Sequence, residues 1–291
     1  MILCPGRKYL IVIFTVLVLF QNASGQDRKG LLWEISGNNL PRPSYLFGTI
    51  HLLCPDQINI SDSVIHAITA TNQMVLEIDF SDPSNPGRIS NGMKVNKSSQ
   101  KMRHYLSRDD YNFLKDFFAD SLNLSLNSIS NVNPLFLMTL IIPRAMKCQA
   151  VSLESKLTDL AAMYHRNIVG LETIEEQIAY INKIGPKEQT AMLLRSVKNY
   201  TDTKMAYHEM VRLYKNHAID QLFNYIEKQN SGYLKLTQTL VFNRNKLWAE
   251  KIRNIISTKP SFIAVGAGHL GGNNGLISLL ESSGYVLTPV E

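Results

Sequence analysis

The chain has 291 residues, 45% of them hydrophobic and 19% charged, which excludes a disordered chain and a membrane bundle. Its formal net charge of +6 is scattered, with no Lys/Arg run interleaved with aromatics, so nucleic acid is not an expected partner. A chain of this length can bury a core that needs no staples.

Arg7 and Lys8 precede an apolar run from Tyr9 to Phe20, and the small residues Ala23, Ser24 and Gly25 follow. That is the order of a secretory signal peptide with cleavage after Gly25. The run falls short of the roughly 20 residues a bilayer-spanning helix requires. The expectation is therefore an exported protein, periplasmic or secreted, with residues 26–291 as one domain and no stable membrane span. Cys54 and Cys148 remain after cleavage. In an oxidising compartment an even pair suggests a disulfide, with two unrelated thiols as the alternative.

The first predicted strand is Gly30–Ile35, followed by turn formers from Asn38 to Pro43 and a second strand from Ser44 to Phe47 that stops at Gly48. Ser61 caps a predicted helix reaching Thr71. Met74–Ile78 reads as a buried strand interrupted by one carboxylate, Glu77. Residues Ser81 to Gln100 are rich in Asp-Pro, Pro-Gly and Asn-Gly pairs and read as a long loop. Helices are expected over Asp109–Phe118, over Pro134–Met146 with an interruption at Pro143, and over Leu153–His165. A short strand, Arg166–Leu171, ends at Glu172. Glu175–Lys228 reads as helical with a break at Gly185-Pro186, and Gln238–Ile256 as an amphipathic helix carrying Arg244, Asn245 and Trp248. Ser261–Val265 is a clean apolar strand, followed by a helix at Leu276–Leu280 and a last strand at Tyr285–Val290. These alternations predict an α/β fold: a small central sheet, mixed or parallel, flanked by helices, with a mostly helical insertion.

Two segments match each other. Tyr45 to His51 and Phe262 to His269 are each an apolar strand that stops at glycine and delivers a histidine three residues later. In open α/β sheets ligands bind beyond the carboxyl ends of strands, and glycine there permits close backbone approach. A neutral histidine at such a place can ligate metal or act as a base. Glu77 lies inside an otherwise apolar strand and Glu172 ends one, and buried carboxylates require a metal, a cation or strong donors. Glu77 could instead pair with Arg244 as a structural ion pair. Arg244 and Asn245 could stabilise developing negative charge, or be polar residues on a helix surface. His66, His104, His165, His208 and His217 lack paired ligands, and the glycines from Gly268 to Gly275 lack the Lys-Ser/Thr end of a phosphate-binding loop.

Gly-Thr-Ile-His51, Leu-Glu77-Ile-Asp, Gly-Leu-Glu172-Thr-Ile-Glu-Glu-Gln, Arg244-Asn245-x-x-Trp and Gly-Ala-Gly-His269-Leu occur in that order from about Leu31 to Val290. In this the chain resembles the TraB/GumN family, which includes the Tiki metalloproteases and is similar in fold to erythromycin-esterase and ChaN-like proteins. The resemblance implies a hydrolase, most simply a metal-dependent peptidase, with a divalent ion such as manganese or cobalt, or else zinc. It implies His51, His269, Glu77 and Glu172 as the metal set. Catalytic roles fall to Glu77, Glu172, Arg244 and Asn245, and the substrate is a peptide or a small ester or amide. The alternatives are a metal-independent esterase-like hydrolase and a protein that sequesters a peptide without turnover. Many relatives have an aspartate before the mid-chain helix where this chain has Ser152-Leu153-Glu154, so no role is assigned there.

Overall fold

A computed structural model describes residues 27–95, 101–146 and 148–290. The signal-peptide reading of residues 1–25 lies outside them. Among the described residues no helix is long and apolar enough to cross a membrane.

The molecule is a six-stranded mixed sheet flanked by helices. Its strands are β1 (Leu32–Gly37), β2 (Ser44–Thr49), β3 (Gln73–Leu76), β4 (Asn167–Gly170), β5 (Ser261–Gly266) and β6 (Tyr285–Val290), in the spatial order β4-β3-β5-β2-β1-β6. The four from β4 to β2 are mutually parallel, and β1 is antiparallel to both β2 and β6. The late strand β5 thus inserts between two early ones. Strands β2 and β3 are buried along their whole length, and β5 up to its terminal glycine. That burial explains why they read as continuous apolar runs without alternation.

The helices are α1 (Asp62–Ala70), α2 (Asn85–Gly92), α3 (Arg108–Leu122), α4 (Pro134–Met138), α5 (Ile141–Ala145), α6 (Leu153–Met163) and α7 (Ile174–Asn182). They continue with α8 (Pro186–Lys198), α9 (Tyr200–Lys215), α10 (Ile219–Gln229), α11 (Leu234–Thr237), α12 (Asn243–Thr258) and α13 (Leu276–Glu281). The main core packs both faces of the sheet, and a second cluster including Leu114, Phe118, Leu137 and Leu193 unites α3, α4 and α8.

Three expectations change. The predicted loop from Ser81 contains α2, started by Pro86 in the first turn, where its missing N–H costs nothing; residues 96–100 of that reading lie outside the described ones. The break in the 134–146 helix falls after Met138, while Pro143 sits in the first turn of α5, where no intrahelical N–H bond is needed. The long helical stretch also breaks at Asn199 and at His217, which adopts a left-handed φ of 55°.

A disulfide joins Cys54 to Cys148, with Cα atoms 5.7 Å apart. Beside it Leu53 and Val151 exchange backbone hydrogen bonds of 3.1 and 2.9 Å. Together they fasten the segment after β2 to the segment that starts α6.

Candidate active site

The parallel register gathers one end of the sheet. Gly48 pairs with Val265 and Thr49 with Gly266, so the two Gly-x-x-His segments leave adjacent strands side by side. A Cβ on Gly48 would come 3.1 Å from Ala267 Cβ, so glycine lets the second turn lie against the first. Leu76 pairs with Ala264 and with Gly170, which places Glu77 just past β3 and Glu172 just past β4. Glu77 therefore stands beyond the strand and not within it. Its Oε1 accepts the Gly266 N–H at 2.9 Å.

Each histidine is held through Nδ1. Asn245, fully buried on α12, donates from Nδ2 to the carbonyls of His269 (3.2 Å) and Asn274 (2.8 Å). This orientation turns Oδ1 toward His269 Nδ1 at 2.6 Å, so Nδ1 must be the donor and the lone pair resides on Nε2. Burial, the largest influence on His269, pushes its pKa down to about 3, so the ring is neutral. Trp248 packs against it with ring centroids 4.5 Å apart. His51 Nδ1 lies 2.9 Å from Glu154 Oε1, which also accepts from Thr49 Oγ1 at 2.9 Å, while Ser152 Oγ donates to Oε2 at 2.9 Å. The hydrogen bond to Glu154 raises the His51 pKa to about 9, although the imidazole is 73% exposed and water screens that pull. Among the described residues neither Nε2 has a hydrogen-bond partner.

The carboxylates divide differently from the expectation of a shared ligand set. Arg244 Nη2 donates to Glu77 Oε2 at 2.7 Å and also to Glu172 Oε1, Nε donates to Glu172 Oε2 at 3.2 Å, and Nη1 donates to the Leu240 carbonyl at 3.0 Å. The guanidinium lies 4.3 Å over the Trp248 ring. Burial opposes its charge, but the two carboxylates outweigh that and raise its pKa. Burial likewise disfavours ionised Glu77; Arg244, both histidines and the Gly266 N–H reverse this and bring its pKa down to about 2. Glu172 goes the other way: burial raises its pKa, and its share of Arg244 is set against the neighbouring Glu77 charge. Gln177 donates to Glu172 Oε1 at 3.1 Å. The carboxylate of Glu172 faces Arg244 and borders a separate cleft with Asp79 and Lys251.

A cavity of about 560 Å³ opens over this site. His51, Glu77, Glu154, Arg244 and His269 border it; Glu172 and Asn245 do not. Both N–H groups of the Asn245 amide are engaged within the protein, so Asn245 orients His269 and has no donor left for a substrate. Glu154, Thr49 and Ser152 were not assigned roles from sequence. Ser152 is the N-cap of α6 and Glu154 lies in its first turn, so both read as helix-start chemistry.

The fold and site define an α/β protein with two imidazoles, a carboxylate and a buried guanidinium collected at the carboxyl ends of parallel strands, where such folds bind ligands. The chain belongs to the TraB/PrgY/gumN family, whose model matches residues 31–289. It is similar to Metalloprotease TIKI2 of Danio rerio, 23% identical over 318 residues that cover 90% of this chain and 61% of the relative. It is also similar to Metalloprotease TIKI2 of Xenopus tropicalis (23% over 317 residues; 90% and 60%) and to Metalloprotease TIKI1 of Xenopus tropicalis (21% over 319 residues; 91% and 62%). The chain thus spans about three fifths of the length of these relatives. No solved structure matches it significantly.

Proposed function

We propose that the chain is an exported hydrolase that uses a divalent metal ion, most simply a peptidase. The observation that carries this reading is the space in front of Gly266. A Cβ there would stand 3.4 Å from Glu77 Oε1, 3.7 Å from His269 Cδ2 and 4.0 Å from His51 Nε2. Absence of that Cβ leaves a cradle bounded by two imidazole edges and a carboxylate oxygen. Both rings are anchored through Nδ1 to a fixed acceptor, the arrangement metal-ligating histidines use to present Nε2. Among the described residues no group of three or more His, Cys, Asp or Glu side chains is arranged to hold a metal ion in this structure. The donor chemistry nevertheless suits manganese, cobalt or zinc, with His51, His269 and Glu77 as the residues that would hold the ion.

A divalent ion supplies Lewis acidity toward a scissile carbonyl and makes water a nucleophile at neutral pH. The chain's own groups do the rest. Glu154 holds the proton on His51 Nδ1, and Asn245 holds the one on His269 Nδ1. Glu172 and Trp248 fix Arg244, which in turn holds Glu77. The guanidinium has five N–H groups, and those on Nε, on Nη2 and one on Nη1 are engaged internally. The second Nη1 N–H is the donor left for negative charge developing on a substrate. The apolar walls of the cavity would exclude bulk water once a substrate fills it.

A metal-independent esterase would need a general base matched to neutral pH. Buried His269, with its pKa near 3, is too weak a base for that role. The Cys54–Cys148 disulfide supports an oxidising compartment and hence export.

The test is elemental analysis of protein purified without chelator, run beside peptide cleavage with added manganese or cobalt. Bound metal and metal-stimulated cleavage are expected. A protein that neither binds a divalent ion nor cleaves faster with one contradicts the proposal.

A further inference from the structure

The cavity over the site is larger than an ion, a water and an acyl group require; its 560 Å³ lies within the range of pockets that enclose a ligand of several groups. Its charges are confined to the floor, since every ionisable side chain bordering it except Tyr180 belongs to the set His51, Glu77, Glu154, Arg244 and His269. The wall is built from three directions. Leu135 and Phe136 come from α4, Tyr180 and Ile181 from α7, and Leu240 from the turn before α12. Phe80, 46% exposed, stands at the rim where solvent meets this wall. The half-buried apolar residues keep part of their surface turned to the empty space, where an occupant would cover it.

We infer that this wall is a specificity subsite for a bulky uncharged side chain, aliphatic or aromatic, of a peptide substrate whose scissile amide lies over the His51–His269 floor. The inference rests on the proposed hydrolase reading and adds the substrate class. The physical basis is twofold. An apolar side chain entering the cavity removes its own surface and that of the wall from water. A charged side chain at the same place loses hydration and meets no opposite charge on the wall. An added methylene in a hydrophobic pocket changes kcat/KM by about 10-fold or more, so Leu or Phe next to the cleaved bond should exceed Ala, Asp and Lys by at least about that factor.

The experiment offers the protein, with manganese or cobalt present, a set of fluorogenic peptides varied at the two positions flanking the cleaved bond. The same peptides are titrated against the protein for equilibrium binding. Two wall variants accompany the wild type. Phe136→Ala should reduce the preference for aromatic over small side chains by about 10-fold. Ile181→Lys should raise the relative kcat/KM of peptides with Asp or Glu at the sensitive position. Each readout is a ratio between substrates and does not depend on the fraction of active enzyme. Cleavage without side-chain preference, or a preference that neither variant moves, overturns the subsite and leaves the hydrolase intact. Selective binding of apolar peptides without turnover supports the subsite and overturns the hydrolase. No selectivity in either assay overturns the subsite.

Discussion

His51 Nδ1 and Glu154 Oε1 meet at 2.9 Å although 103 residues separate them in the chain. Three features bring them together. Thr49, on the strand that delivers His51, donates to the same carboxylate oxygen; the Leu53–Val151 bridge aligns the two segments; and the Cys54–Cys148 bond closes them. Glu154 is thus a positioning residue for His51. Glu154→Ala should lower divalent-metal affinity by about 10–100-fold, while Glu154→Gln, which keeps an acceptor oxygen, should lose less. Calorimetric titration of the purified variants with manganese measures both. Equal affinity for wild type and Glu154→Ala would remove Glu154 from the site.

Asn245 makes the same argument from the other side. Asn245→Ala leaves His269 Nδ1 and the His269 and Asn274 carbonyls without this partner. A buried polar group left unsatisfied costs about 1–3 kcal/mol. Thermal unfolding should therefore show a clear loss of stability, together with weakened metal binding. A substitution that destabilises the fold but leaves metal affinity unchanged would give Asn245 a purely structural role.

Arg244 is 7% exposed between two carboxylates. Arg244→Met strips Glu77 and Glu172 of their counter-charge, and breaking a buried pair in this way costs about 3–5 kcal/mol. Adding Glu172→Gln should recover part of that loss, because it removes one uncompensated charge; chemical denaturation of the single and double variants reads the coupling. Purely additive losses would contradict the shared ion pair. Arg244→Lys should not restore the wild type, since an ammonium cannot reproduce the planar fork.

The pH dependence of the metal-free protein follows from the same groups. His269 has its pKa lowered by burial from 6.5 to about 3, so between these values the unfolded chain binds the proton and the folded one does not. Stability from this group is present above pH 6.5 and is lost as pH falls through 3. Glu77, lowered from 4.5 to about 2, contributes above pH 4.5 and loses that contribution as pH falls through 2. Glu172, raised by burial, acts oppositely just above pH 4.5. His51, raised to about 9 by Glu154, contributes fully below 6.5 and loses its share as pH rises through 9, reduced by its exposure. Comparing wild type with His269→Gln isolates the first effect. Urea unfolding with chelator present should show the stability of wild type falling more steeply than that of the variant between pH 6.5 and 4.5. Parallel curves would mean that His269 is not buried as a neutral ring.

Reduction of Cys54–Cys148, or replacement of both by Ser, opens a loop spanning 94 positions. A native disulfide of this kind is worth about 2–4 kcal/mol. Because the bond lies three residues from each of Val151 and His51, reduction should weaken metal binding as well as lower the unfolding temperature. Unchanged affinity after reduction would show that the Leu53–Val151 bridge alone suffices.

Much of this was legible in the sequence. The strands β2 and β5 announced themselves as apolar runs ending in Gly-x-x-His, and the carboxylates at the ends of β3 and β4 stood out against apolar surroundings. The insertion of β5 between β2 and β3 was not legible, because strand order depends on pairing across some two hundred residues. For the same reason the sequence could not show that Arg244 would bind Glu77 and Glu172 together, with Glu77 alone also beside the histidines. Glu154 was hidden by its position: a carboxylate in the first turn of α6 behind an N-cap serine looks like helix-start chemistry until His51 is placed against it. The α2 helix was masked by turn-forming residues. Gly92 packs against Ile178 of α7, a tertiary contact that local propensity does not carry.

The central claim is that His51 and His269 belong to one metal site. Its most direct test is manganese or cobalt titration of the wild type, His51→Ala and His269→Ala, each verified as folded by circular dichroism. The account predicts one tight ion per wild-type chain and loss of that ion in both variants. If either variant binds the ion with wild-type affinity, the two Gly-x-x-His motifs do not share a site.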